Sequence, residues 1–85
     1  MRKVIFTAKA KNDFDYFEKF DHKNFNKILV LLNAIIQNPY AGIGKPEALK
    51  HDLSGCYSRR INKEHRLVYR IKEETIQIIS CRFHY

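Results

Sequence analysis

The residues able to do chemistry crowd into the second half of this 85-residue chain. Lys45, Glu47, Lys50 and His51 share one stretch, Arg59, Arg60, Arg66, Arg70 and Arg82 follow, and His84 and Tyr85 close the chain. Arginine forks grip phosphate oxygens at two points, and tyrosine rings stack on unpaired bases. Such a set suits a phosphodiester. Cleaving RNA without a metal needs a base for the ribose 2′-OH, an acid for the departing 5′-oxygen and a cation for the charge growing on phosphorus. Glu47 or His51 could be the base, His84 or Tyr85 the acid, and Arg66 or Arg60 the cation. No metal is expected. The sequence has neither a CxxC nor an HxxxH pair, nor a cluster of carboxylates of the Mg²⁺-binding kind. Each residue also has a plainer reading: Glu47 and Lys50 as solvated charges, His84 as an exposed chain end, Tyr85 as a pin for the last strand, and the arginines as a solvated sheet face.

Composition narrows the partners. Sixteen Lys and Arg against nine acidic residues give a net charge of +7. So strong a positive field in one small domain favours polyanionic partners, namely nucleic acid, a ribosome, an acidic protein or an anionic membrane, and charge alone does not choose among them. The longest apolar run, residues 28–36, is interrupted by Asn33 and too short to span a bilayer. The first residues, MRKVIFTAKAKNDF, lack the apolar core of a secretory signal. A cytoplasmic protein is expected, with no membrane partner and with Cys56 and Cys81 reduced and used as small buried apolar residues.

The elements that must position these groups can be read from periodicity. Residues 3–6 form a first strand. Thr7 caps a helix over 8–20, with Ala10, Phe14, Phe17 and Phe20 at helical spacing. Asp21 caps a second helix over 21–37, with Phe25, Ile28, Leu29, Leu32, Ile35 and Ile36 as its apolar stripe, and Pro39 stops it. Residues 40–53 read as a loop with a short helical turn at 46–50. Strands follow at 57–61, 65–71 and 75–85, joined by short turns into an antiparallel meander. Alternation puts Leu67, Tyr69 and Ile71 on one face and Arg66, Val68 and Arg70 on the other. The class is α+β, one domain over 1–85, with two helices covering one face of a twisted antiparallel sheet in the order β-α-α-β-β-β.

Four segments in order resemble the YoeB (Txe/YoeB) family of toxins in the RelE/ParE superfamily: Gly44-Lys45-Pro46-Glu47-Ala48-Leu49-Lys50-His51, Leu53-Ser54-Gly55-Cys56-Tyr57-Ser58-Arg59-Arg60-Ile61, Glu64-His65-Arg66-Leu67-Val68-Tyr69 and Ser80-Cys81-Arg82-Phe83-His84-Tyr85. The resemblance is dense from Pro39 onward. It implies the RelE-like fold and a toxin that cuts messenger RNA in the ribosomal A site without a cofactor, leaving a 2′,3′-cyclic phosphate and a 5′-hydroxyl. It implies Glu47 as general base, Arg66 as the transition-state cation, His84 as general acid and Tyr85 as a substrate-positioning residue, with Lys50, His51 and Arg60 in support. It implies a YefM-like antitoxin, a homodimer, and operator DNA bound only through the antitoxin complex. Cys56 and Tyr57 stand where bulkier aromatics are common. The alternative is a superfamily relative that acts by binding, such as a ParE-like gyrase inhibitor or a nucleic-acid-binding module.

Overall fold

The computed structural model describes residues 2–82. Strand β1 (Lys3–Phe6) leads into helices α1 (Ala8–Phe20) and α2 (His22–Gln37), followed by a two-residue strand β2 (Glu47–Ala48), β3 (Cys56–Arg60), β4 (Arg66–Lys72) and β5 (Thr75–Ser80). The hydroxyl of Thr7 accepts the Ala10 N–H, and the Asp21 carboxylate accepts the Asn24 N–H. The junction between the helices is therefore a single residue that ends one helix and caps the next. The Asn24 contacts hold the Asp21 carboxyl below its ordinary value.

The five strands form one sheet in the order β1-β5-β4-β3-β2. The α+β class and the layering of two helices on a sheet hold. Three features differ from the sequence expectation. First, the sheet is mixed: β1 pairs parallel to β5, with Ile5 beside Gln77 and Phe6 beside Ile78. The long connection that a parallel pairing needs is here the whole stretch 7–74, both helices together with β2, β3 and β4. Second, the helical turn expected at 46–50 is absent, and Glu47 and Ala48 instead pair with Ser58 and Tyr57. The turn comes later, as a 3₁₀ turn at His51–Leu53. Third, β5 ends at Ser80, with residues 81 and 82 outside the strand that was expected to include them, and its register slips between Val68 and Tyr69. Ile79 is the extra residue, a bulge that kinks β5 before the ladder resumes at Val68 and Ser80.

One sheet face lies under the helices. Its core holds Ala10, Phe17, Ile28, Leu31, Ile35, Leu67, Tyr69, Ile76 and Ile78, all fully buried. Phe14 bridges Phe6 at 5.2 Å and Phe25 at 4.9 Å, tying β1, α1 and α2. The α2 stripe is rotated from the expected one: Leu31 is buried, whereas Leu29 is 43% exposed. Phe20, expected in the core, is 67% exposed.

Both cysteines are buried free thiols, as their small apolar reading requires. Cys81 follows the end of β5 and is locked to α1. Its N–H donates to the buried Asp13 carboxylate at 3.1 Å, and its Sγ lies 3.7 Å from the Ala10 carbonyl. Burial first, and the Asp13 charge second, push the Cys81 thiol up to about 12 from an ordinary 9.0. The unfolded chain therefore ionises this thiol before the folded chain does. Stability is untouched below pH 9 and falls as pH rises from there toward 12. At pH 10.5 the loss attributable to Cys81 is about 2 kcal/mol, from 1.36 kcal/mol per unit. Urea midpoints for wild type and Cys81→Ala at pH 7 and pH 10.5 check this. The wild type should lose more between the two pH values, and equal losses would contradict it.

Candidate functional site

The face away from the helices carries the chemistry. Residues paired across strands share a face, so the register assigns its members. Glu47 opposes Ser58, Ser58 opposes Val68, Arg60 opposes Arg66, and Cys56 opposes Arg70. Glu47 on β2 and Arg66 on β4 thus approach Ser58 from the two sides of β3. The Arg66 Nη1 donates to the Ser58 hydroxyl at 3.4 Å, a long and weak bond that leaves most of the guanidinium's donors available. Arg66 is half-buried and Arg60 is exposed. Two guanidiniums directly opposite on adjacent strands repel, at a cost that a bound anion between them would cancel.

Glu47, Lys50 and His51 line a single hollow of about 410 Å³, together with Ala48, Leu49 and Leu53. The backbone around it is unusual. Lys45 (φ 51°) and His51 (φ 58°) both occupy the left-handed region, on either side of β2. Non-glycine residues there cost on the order of 1 kcal/mol each and cluster at functional sites. The loop is held from below by a small apolar cluster on the open face, in which Leu49, Cys56 and Val68 are buried and Leu53 and Ile79 pack against them. The open face is therefore not purely polar, and Cys56 belongs to the floor beneath the candidate site.

What aims β2 is on the opposite face. By residue type Arg59 belongs with the other arginines of a polar face, but it is fully buried on the helix side. The reason is parity: Arg59 alternates with Ser58 and Arg60 and so shares the face of Tyr57 and Ile61. Its guanidinium donates to the carbonyls of Ile43 at 3.1 Å, Asn38 at 2.5 Å and Ala41 at 3.0 Å, and to the Tyr69 hydroxyl at 3.1 Å. The Tyr69 hydroxyl donates on to the Pro39 carbonyl at 2.7 Å, and burial pushes its pKa up. One buried cation thereby gathers the loop between α2 and β2. Gly44 completes the hold: its carbonyl accepts the Arg60 N–H at 2.7 Å. Its φ is +85°, and a Cβ there would meet Leu31 Cδ2 at 2.8 Å, so only glycine fits.

Five of the sequence-predicted site residues are thus placed. Glu47, Lys50 and His51 share the hollow, and Arg66 and Arg60 share the adjoining sheet face. His84 and Tyr85 lie outside the described residues. Arg82, just before them, sits with its guanidinium carbon 3.5 Å from the Tyr16 ring centre. Ser58 was missed, although its position between Cys56 and Arg60 on one strand face would have revealed it. No group of three or more metal-ligating side chains occurs among the described residues. No helix among them is long and apolar enough to cross a membrane.

Two helices on one face of a sheet, with a basic opposite face bordered by a carboxylate loop, define the class of small RelE-like toxins. Residues 6–85 match the family model described as the YoeB-like toxin of bacterial type II toxin-antitoxin systems, and the chain belongs to that family. It is 52% identical to Toxin YoeB of Synechocystis over 98% of this chain and 96% of that protein. It is 42% identical to Toxin YoeB of Escherichia coli K12 over 98% and 99%. Among solved structures it is similar to the YoeB/ParE toxin of Agrobacterium tumefaciens, with a TM-score of 0.93 at 40% identity over 98% and 99% of the two chains. It also resembles the toxin in the heterotetrameric YoeB-YefM complex of Staphylococcus aureus, with a TM-score of 0.90 at 48% identity over 100% and 99%. A YoeB dimer from the same organism gives a TM-score of 0.91 at 48% identity over 99% and 98%. YafQ of Escherichia coli, at 19% identity and a TM-score of 0.81 over 99% and 94%, shares the fold.

Proposed function

We propose that the chain is a ribosome-dependent endoribonuclease that cuts messenger RNA in the A site by acid–base chemistry and so stops translation. The observation that carries this reading is the convergence of Glu47 and Arg66 on Ser58 from opposite sides, on an open basic face. Glu47 takes the proton from the 2′-OH. That oxygen attacks phosphorus while Arg66, with Arg60 and Lys50, binds the non-bridging oxygens. His84 protonates the departing 5′-oxygen, and Tyr85 positions the nucleotide. His51 orients the RNA from the lip of the hollow. The products are a 2′,3′-cyclic phosphate and a 5′-hydroxyl, and no metal takes part.

The relatives supply the partners. Since homologous toxins have been solved with YefM and as a dimer, this chain takes a YefM-like antitoxin and pairs with itself. It reaches operator DNA only through the antitoxin complex, and it acts in the cytoplasm, where ribosomes are.

The test is to add the protein to a translation extract and map new 5′ ends on the message. Wild type should generate internal 5′-hydroxyl ends. Glu47→Ala and His84→Ala should each lower the cleavage rate by about 10²- to 10⁴-fold, the usual worth of an acid–base group. Intact message, with inhibition of DNA supercoiling instead, would overturn the reading in favour of a ParE-like gyrase inhibitor. Undiminished cleavage by His84→Ala would overturn the acid assignment.

A further inference from the structure

One cluster lies outside the roles assigned above, at the end of α1. Phe20 is the most exposed large apolar side chain of the described residues, at 67%. Its ring meets that of Tyr16 at 5.3 Å, with the planes tilted by 47°. Lys19 Nζ lies 5.4 Å from the Phe20 ring centre, and Arg82 lies over the Tyr16 ring. These four residues, with Asn12 and Asp15, line an open hollow of about 250 Å³. The acidic residue at its rim is already engaged, since Asp15 Oδ1 accepts Lys11 Nζ at 2.6 Å. What remains exposed is the Phe20 ring, edged by Lys19 and by the Arg82 guanidinium stacked on Tyr16.

The hollow lies on the helix side of the sheet, at the same strand end as Arg66. Ser80 opposes Val68 in antiparallel register, so the chain leaving β5 toward Arg82 runs to the level of Arg66. The Phe17 ring packs edge-on against His65 at 5.1 Å, which brings the last turns of α1 to that same end. The hollow is also continuous in sequence with the proposed acid, because Arg82 stands just before residues 83–85.

We propose that Phe20, edged by Lys19 and by the Arg82–Tyr16 stack, forms a stacking platform for an unpaired base of the RNA strand where it passes round this end of the sheet from the scissile linkage. The proposal rests on the ribonuclease reading for the identity of that strand. Every base offers a π-face, so aromatic stacking binds single strands with little sequence preference, and neighbouring cations hold the backbone. A structural role does not account for the exposure of Phe20, because its ring adds nothing to the core it was expected to join. Positive charge on both sides favours a polyanionic occupant over a purely apolar one.

The chain has no tryptophan, so Phe20→Trp places a lone fluorescent reporter on the platform. The probe is a ten-nucleotide single-stranded RNA carrying 2′-O-methyl groups, which cannot be cleaved, compared with a duplex of equal length. Stacking predicts saturable quenching by the single strand, weakened by salt, with much less by the duplex. It also predicts that Phe20→Ala lowers message cleavage about tenfold at limiting toxin, while Phe20→Trp retains it. Absence of quenching, equal quenching by duplex, or a spectral shift that depends on protein concentration without RNA would overturn the platform, the last by showing that a second copy covers it. Quenching without message cleavage by wild type would support the platform and overturn the ribonuclease reading. Cleavage without quenching would do the reverse.

Discussion

Arg66→Ala should lower message cleavage by about 10²- to 10³-fold, the loss seen when one positioned charge-stabilising donor is removed from an active site, while leaving the melting temperature unchanged or slightly raised. The two halves of this result have one cause. In the free protein Arg66 makes one long hydrogen bond, 3.4 Å to Ser58, and sits directly across from Arg60. Removing it forfeits little and relieves a like-charge pair. When phosphorus gains a fifth oxygen, the same guanidinium faces the charge that develops and neutralises it without rearranging. A side chain that costs stability in the empty protein and contributes only during reaction marks a site under a stability–activity trade-off. Arg66→Lys should recover only part of the rate, because an ammonium cannot hold two phosphate oxygens in a fixed fork. Cleavage rates in a translation extract, alongside thermal melts of the same preparations, check both halves. A variant that melts far below wild type would show that Arg66 serves the fold instead.

The neighbouring arginine on the other face should behave in the opposite way. Arg59→Met keeps much of the buried volume but leaves the carbonyls of Asn38, Ala41 and Ile43 and the Tyr69 hydroxyl short of a donor. Orphaned buried acceptors cost on the order of 1–3 kcal/mol each where water cannot replace the donor. The loop is partly open to water, so the expected net loss is about 3–5 kcal/mol. A domain this small has a total stability of roughly 4–13 kcal/mol, and its melting temperature should drop by roughly 15 to 30 °C. Activity should fail too, even at temperatures where the variant is folded, because the loop that presents Glu47 is no longer gathered. Calorimetry of Arg59→Met would settle the first point. A loss under 1 kcal/mol would show that the loop holds itself.

These two arginines, seven residues apart, mark what the sequence could determine and what it could not. Local rules were enough for the helices. Thr7 and Asp21 carry side-chain caps, Pro39 follows the helix end, and the apolar spacing fills one face, so the bounds of α1 and the end of α2 follow from nearest neighbours. Alternation in β4 was equally legible, because all its residues but Val68 separate by parity into apolar and basic. Chemistry by residue type was legible only as pairs of candidates: Glu47 or His51 as base, Arg66 or Arg60 as cation, His84 or Tyr85 as acid, with the family resemblance alone choosing among them.

Tertiary structure decided the remainder, wherever the determining partner lies far along the chain. β2 has two residues and no strand propensity to announce it, since its existence depends on hydrogen bonds to β3. The parallel placement of β1 beside β5 joins segments at opposite ends of the sequence, which no local pattern encodes. Phe20 fits the apolar spacing of α1 yet lies outside the core, because helix rotation is set by packing against the sheet and not by the helix itself. Arg59 looks like a surface charge until a loop folds over it with three carbonyls aimed inward. Short-range sterics and hydrogen bonding act within a few residues, so the sequence alone can specify elements and reactive groups. Which face a guanidinium occupies, and whether a glutamate reaches it, depends on burial shared among distant segments, and that exists only once the chain has closed.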